Sequence, residues 1–154
     1  MKGQIDFLLV EDNEHDVAAI RRAWTKNGIT HPLHVAPGGK SCLEFLEKRN
    51  QERKKGHSAK PVVVMLDDKM ATMGGVETLK KIRENDNLCH VPIIMLMASD
   101  ENYRKLKTYR MGANAYIVKP MAFEELMETI QTIVRFWELA ELPEPAGHGA
   151  WGIE

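Results

Sequence analysis

The stretch "VVVMLDDKMATMGG", residues 62–75, decides how the chain folds. A run of apolar, largely β-branched residues ends in two adjacent carboxylates, Asp67 and Asp68, and two glycines close the segment. A strand covered on both faces reads as a continuous apolar run rather than an alternation. Negative charge at its end therefore marks the border of a core, where water and an ion can reach the chain.

The same grammar repeats outward. "IDFLLV" (5–10), "VPIIMLM" (91–97) and "AYIV" (115–118) read as further buried strands. "HPLHVA" (31–36) is a weaker one, placed at an edge because Pro32 removes a donor. Helical spacing fills the gaps. Val17, Ile20 and Trp24 share one face of "NEHDVAAIRRAWTKNG", with Gly28 as its C-terminal cap. Cys42, Phe45, Leu46 and Arg49 do the same in "KSCLEFLEKRNQERK", and Val76, Leu79 and Ile82 in "GVETLKKIREN". "DENYRKLKTYRMG" is a helix that stops at Gly112, and "AFEELMETIQTIVRFWELAEL" is a long amphipathic one. Strands and helices thus alternate five times. Right-handed crossovers then give an α/β fold, a doubly wound five-stranded parallel sheet of flavodoxin-like (βα)5 type with strand order 2-1-3-4-5.

With 154 residues the chain has the length of one domain. Hydrophobic residues make up 44% and charged residues 28%, a globular balance. Net charge is -1, which gives no case for a nucleic-acid partner. No apolar run approaches the roughly 18 residues that a membrane span needs. The N-terminus meets carboxylates after a short apolar run, unlike a signal peptide. Cys42 and Cys89 lack metal-ligand spacing, so a reduced, cytoplasmic protein is expected. The domain is expected over 1–140, with a polar, basic insertion at 49–61 that extends helix 2 and then loops, and a flexible tail at 141–154.

In open sheets of this kind, ligands sit beyond the carboxyl ends of the strands at the switch point. Strand 1 ends in Glu11 and Asp12, strand 3 in Asp67, and strand 5 in Lys119. The order 2-1-3-4-5 brings these together. Clustered carboxylates repel unless a cation or proton joins them. A hard divalent ion with oxygen ligands fits, Mg²⁺ by default. With Lys119 added, the cleft suits a transferable phosphoryl group attacked in line by a carboxylate. Singly, each piece has a plain structural reading: an Asp at a strand end is commonly a helix cap, and Lys-Pro is commonly a turn.

The segments "LLVEDN", "VVVMLDDKMATMGG", "PIIMLMASD" and "GANAYIVKP" resemble the receiver domain of two-component response regulators over residues 5–138. The insertion and the terminal "FWELAELP" are similar to small stand-alone regulators paired with bacterial phytochrome-type histidine kinases. The resemblance implies that Asp67 is the phosphoacceptor. It makes Glu11, Asp12 and Asp67 metal ligands, with the backbone carbonyl of Lys69 as a further one. Lys119 contacts phosphate, and its bond to Pro120 is expected cis. Ala98 is the small residue that leaves access, and Tyr116 is the switch aromatic. Met97 stands where the family has Thr or Ser, so the hydroxyl that would donate to the phosphoryl group is replaced by a thioether that donates nothing and that is long enough to crowd the pocket. Ser99 is read as a helix N-cap instead. Ala71 replaces the usual Pro and Gly74 the usual Asp or Asn, and Asp68 is expected to face solvent.

The resemblance implies a sensor histidine kinase as partner and a C2 homodimer through the last helix; because "PEPAGHGAWGIE" after that helix is too short to fold alone, output is expected through protein contacts. Packing of Phe136 and Trp137 onto the domain's own core is the competing expectation. Three rivals stay open or are weakened. A degenerate receiver that is never phosphorylated is kept alive by Met97. A dehalogenase-type aspartyl-phosphate phosphatase needs an acid at Lys69. A flavin carrier needs a Ser/Thr/Gly-rich loop where "EDNEHD" stands.

Overall fold

The computed structural model describes residues 3–57, 60–98 and 102–142. Elements follow the order β1 (Asp6–Val10), α1 (Glu14–Lys26), β2 (Leu33–Ala36), α2 (Gly39–Lys54), β3 (Val62–Asp67), α3 (Gly75–Glu84), β4 (Ile93–Met97), α4 (Asn102–Arg110), β5 (Ala115–Val118) and α5 (Phe123–Leu139). All pairings are parallel, and the strand order is β2-β1-β3-β4-β5. The Ser99 cap and the tail from 143, with Trp151, lie outside the described residues.

The pleat sorts the apolar runs onto two faces. Leu8, Val10, Val64, Leu66, Met95 and Met97 meet Cys42 and Leu46 of α2 and Leu79 and Ile82 of α3. Phe7, Leu9, Val63, Met65, Ile94 and Leu96 meet Ile20, Ala23 and Trp24 of α1 and Ile130, Ile133 and Trp137 of α5. Each such fully buried side chain contributes roughly 1.5–3 kcal/mol, so strands 1, 3 and 4 need no polar face. The edge strand β2 is only half-buried, as Pro32 suggested.

Element ends follow local chemistry. Asn13 caps α1, its side-chain oxygen accepting from the N–H groups of His15 at 2.9 Å and Asp16 at 3.1 Å. Gly28 ends the helix at φ +68, a left-handed conformation that glycine adopts without strain. Strand β4 starts two residues later than its apolar run, because Pro92 offers only a carbonyl, which accepts from Val64 N–H at 3.0 Å. α2 extends to Lys54 and so takes in the first half of the basic stretch.

At the amino ends of β4 and β5, Arg83 of α3 gathers three segments. Its guanidinium donates to the carbonyls of Gly112 (2.8 Å), Cys89 (2.9 Å) and Val91 (2.7 Å) and to Asn114 Oδ1 (3.0 Å). No helix among the described residues is long and apolar enough to cross a membrane.

The last helix divides the two expectations made for it. Trp137 is buried in the domain's own core, while Phe136 points outward at 59% exposure, its ring edge-on to Trp137 at 4.9 Å.

Candidate functional site

Register places the site. Val10 of β1 is level with Leu66 of β3, so Glu11 and Asp67 stand side by side one step further on. β5 is level with β4 at Met97 and Val118, and Lys119 N–H donates to Met97 O at 2.8 Å, which carries Lys119 to the same edge. One oxygen from each of Glu11, Asp12 and Asp67 can lie within 4.8 Å of the others. Glu11 and Asp67 are buried and Asp12 is exposed.

Lys119 crosses the end of β4 to reach them. Its Nζ lies 2.5 Å from Glu11 Oε1, 2.9 Å from Asp67 Oδ1 and 3.0 Å from Asp16 Oδ2. One ammonium thus serves three carboxylates. Burial pushes the Glu11 carboxyl up to about 7; its hydrogen bond to Lys119 pulls the other way, and the charge on Asp67 adds to the rise. Asp67 is likewise raised, chiefly by burial and against the pull of Lys119. Burial alone would lower Lys119, but its hydrogen bonds to Glu11, Asp67 and Asp16 outweigh that and raise it. The all-oxygen donor set of Glu11, Asp12 and Asp67 fits a hard divalent cation.

Asp12 has a second engagement: its Oδ2 accepts the N–H of Ala71 at 2.8 Å. A proline at 71 has no such donor. Close packing at the next turn also acts on the site. A Cβ on Gly75 would sit 2.8 Å from Asp68 Cα and nearer still to the Asp67 carbonyl oxygen. That approach lets Gly75 N–H donate to Asp68 O at 2.9 Å, so α3 begins flush against the end of β3.

Several expectations are corrected. Asp68 does not face solvent: it is buried and forms an ion pair with Arg104 of α4. The bond before Pro120 is trans, since no described peptide bond is cis. Met97, at 1% exposure, packs into the α2–α3 face of the core.

The remaining residues fall as follows. Ala98 is exposed just beyond β4, and Lys69 is exposed in the loop after Asp68. Tyr116 is half-buried against the α2–α3 side of the core; its N–H donates to the Tyr109 hydroxyl of α4 at 3.1 Å. Sequence reasoning missed Asp16, Arg104 and Tyr109. Asp16 carried a faint signal, an acid one turn into the helix that follows Glu11 and Asp12. Arg104 and Tyr109 carried none.

The family model for the response regulator receiver domain matches residues 7–131. The chain is 30% identical over 130 residues to the probable methanogenesis regulatory protein FilR2 of Methanothrix harundinacea, covering 84% of this chain and 81% of that protein. It is 27% identical over 137 residues to the response regulator Rcp1 of Synechocystis sp., covering 88% and 91%. The Mn²⁺-bound form of Rcp1 superposes with a TM-score of 0.75 at 26% identity, over 92% of this chain and 100% of that one. The phosphorylated cyanobacterial phytochrome response regulator RcpA superposes with a TM-score of 0.78 at 25% identity, over 92% and 100%.

Proposed function

The chain belongs to the response regulator receiver domain family, and from that premise we propose that it takes a phosphoryl group from a histidine kinase onto Asp67. The supporting observation is the single Lys119 ammonium within 3.0 Å of Glu11, Asp67 and Asp16 at the convergence of β1, β3 and β5. Glu11, Asp12 and Asp67 would hold Mg²⁺, with the Lys69 carbonyl as a further ligand, and the ion would supply positive charge against the phosphoryl oxygens.

An Asp67 carboxylate oxygen attacks phosphorus, and the kinase's histidine nitrogen leaves with the bonding electron pair. Lys119 turns from Glu11 toward the new phosphoryl oxygens. Ala98 leaves the approach open. Slow hydrolysis of the acyl phosphate by water resets the site.

The likeness to Rcp1 and RcpA supports a phytochrome-type kinase as donor, a cytoplasmic location, and a receiver of about residues 1–140 acting through protein contacts. Phe136 and Leu139, 59% and 82% exposed on α5, support a homodimer through that helix. Met97 favours a second reading, a receiver that works without phosphorylation. Its thioether lies in the core and offers no donor to a phosphoryl group, and losing a charge-assisted hydrogen bond costs about 1.5–3 kcal/mol. On the first reading, coupling of the acceptor to Tyr116 is weakened rather than lost.

Acetyl phosphate with Mg²⁺ separates the two. Phosphorylation adds about 80 Da in intact mass; the species appears in the native chain and is absent in Asp67→Asn. A native chain that stays unlabelled while an ordinary receiver labels fully leaves the second reading.

A further inference from the structure

At the pole of the sheet away from Asp67, the second half of α2, residues 60–62 and the loop 87–92 line a shallow, open cleft of about 40 Å³. Leu46, Leu88 and Val91 form a buried apolar floor. Its ionisable lining residues are all basic, Arg49, Arg53, Lys60 and His90, and among the described residues no carboxylate lines it.

Those charges are unequally spoken for. Arg49 is matched by Asp6, whose Oδ2 accepts from its guanidinium at 2.7 Å, and Lys60 lies 4.0 Å from the same carboxylate. The Arg53 guanidinium has no ion pair or hydrogen bond to any described residue. Asn50, 9% exposed, lines the cleft, and its amide makes no hydrogen bond to a described residue. No buried side-chain polar atom among the described residues lacks a partner, so the Asn50 amide opens onto the cleft and is available to a ligand. The His90 ring is held below its ordinary value by burial, and then by the charges of Arg53 and Arg83. It sits in a field with positive charge to spare.

Guanidinium, amide and imidazole in one hollow offer donors in excess. A ligand built of acceptors, with negative charge, satisfies them; a cation or a neutral polyol does not. The apolar floor calls for more than a bare inorganic ion. We propose that this cleft binds a small organic oxyanion, its carboxylate or phosphate group held by Arg53, Asn50 and His90 and its short apolar body resting on Leu46 and Leu88.

Titration of the full chain, stripped of metal on a chelating resin, with hexanoate, and separately with inorganic phosphate, tests this by ¹H–¹⁵N NMR at constant ionic strength. Without metal, the carboxylates around Asp67 repel anions, so the signals report the cleft. The Asn50 side-chain amide and the Leu88 and Val91 backbone amides shift to saturation with hexanoate, and phosphate binds several-fold more weakly. Arg53→Gln weakens hexanoate binding about tenfold, whereas Lys54→Gln, the same charge change one residue on, leaves it within twofold. Shifts that never saturate, equal weakening in the two variants, or phosphate binding as tightly as hexanoate would each overturn the assignment.

Discussion

Asp12 Oδ2 accepts the Ala71 N–H at 2.8 Å, tying an exposed carboxylate of the acidic cluster to the loop that follows Asp67. A residue read from sequence as a metal ligand is therefore also a loop anchor. The hydrogen bond depends on a non-proline residue at 71.

Asp12→Ala removes both roles. Mg²⁺ affinity falls about tenfold or more, the equivalent of about 1.4 kcal/mol. The Ala71 amide also exchanges with deuterium faster in metal-free protein. Isothermal titration reads the first effect and amide exchange the second. Unchanged exchange at Ala71 would show that Asp12 acts on the metal alone.

The raised Glu11 carboxyl sets a pH dependence. Its folded value of about 7 lies above its ordinary 4.5. Its contribution to stability is therefore complete below about 4.5 and is lost as pH rises through about 7. Asp67, raised for the same reason, acts with the same sign. Mg²⁺ binds the deprotonated forms and reverses the loss. In EDTA, the melting temperature falls from pH 5 to pH 8, and the gain on adding Mg²⁺ widens over the same interval. A gain independent of pH would contradict the burial of these two acids.

Asp6 behaves in the opposite sense. Burial would raise it, but hydrogen bonds from His34 at 3.1 Å and Arg49 at 2.7 Å outweigh burial and lower it. Its contribution is present above the ordinary value of 3.8 and is lost as pH falls through the depressed one. Arg49→Met leaves a buried carboxylate short of a partner and costs roughly 1–3 kcal/mol at pH 7. The acid-unfolding midpoint moves to higher pH. Circular dichroism along an acid titration reads the shift.

Gly74 and Gly75 are adjacent and unequal. A Cβ on Gly74 meets only the Asp68 carbonyl oxygen at 3.5 Å, an ordinary contact, whereas one on Gly75 overlaps the backbone of Asp67 and Asp68. Gly75→Ala costs on the order of 2 kcal/mol or more and slows acetyl-phosphate labelling of Asp67. Gly74→Ala costs under about 1 kcal/mol and labels normally. Urea denaturation and intact mass measure the pair side by side.

The sheet was legible because its strands are continuous apolar runs, a pattern that parallel burial produces and local propensity does not contradict. From that order, Glu11, Asp12, Asp67 and Lys119 followed, since each ends a strand or directly succeeds one. What stayed hidden depends on helices arriving from elsewhere. Asp16 joins the site only because α1 passes within reach of Lys119. Asp68 is buried only because Arg104 of α4 comes over it. Met97 was read as a residue crowding the pocket, yet its side chain shares the core with Leu66 and Met95, because the pleat turns it the way Met95 turns.

The Arg83 guanidinium binds groups from the approaches to both β4 and β5. These two strands are thereby clamped at one end, so displacement can grow only toward the other, where Met97 and Lys119 stand. A long chemical lever is unnecessary under that arrangement. Loosening the clamp would let the strands tilt as whole bodies, diluting at the tips whatever motion the acceptor starts.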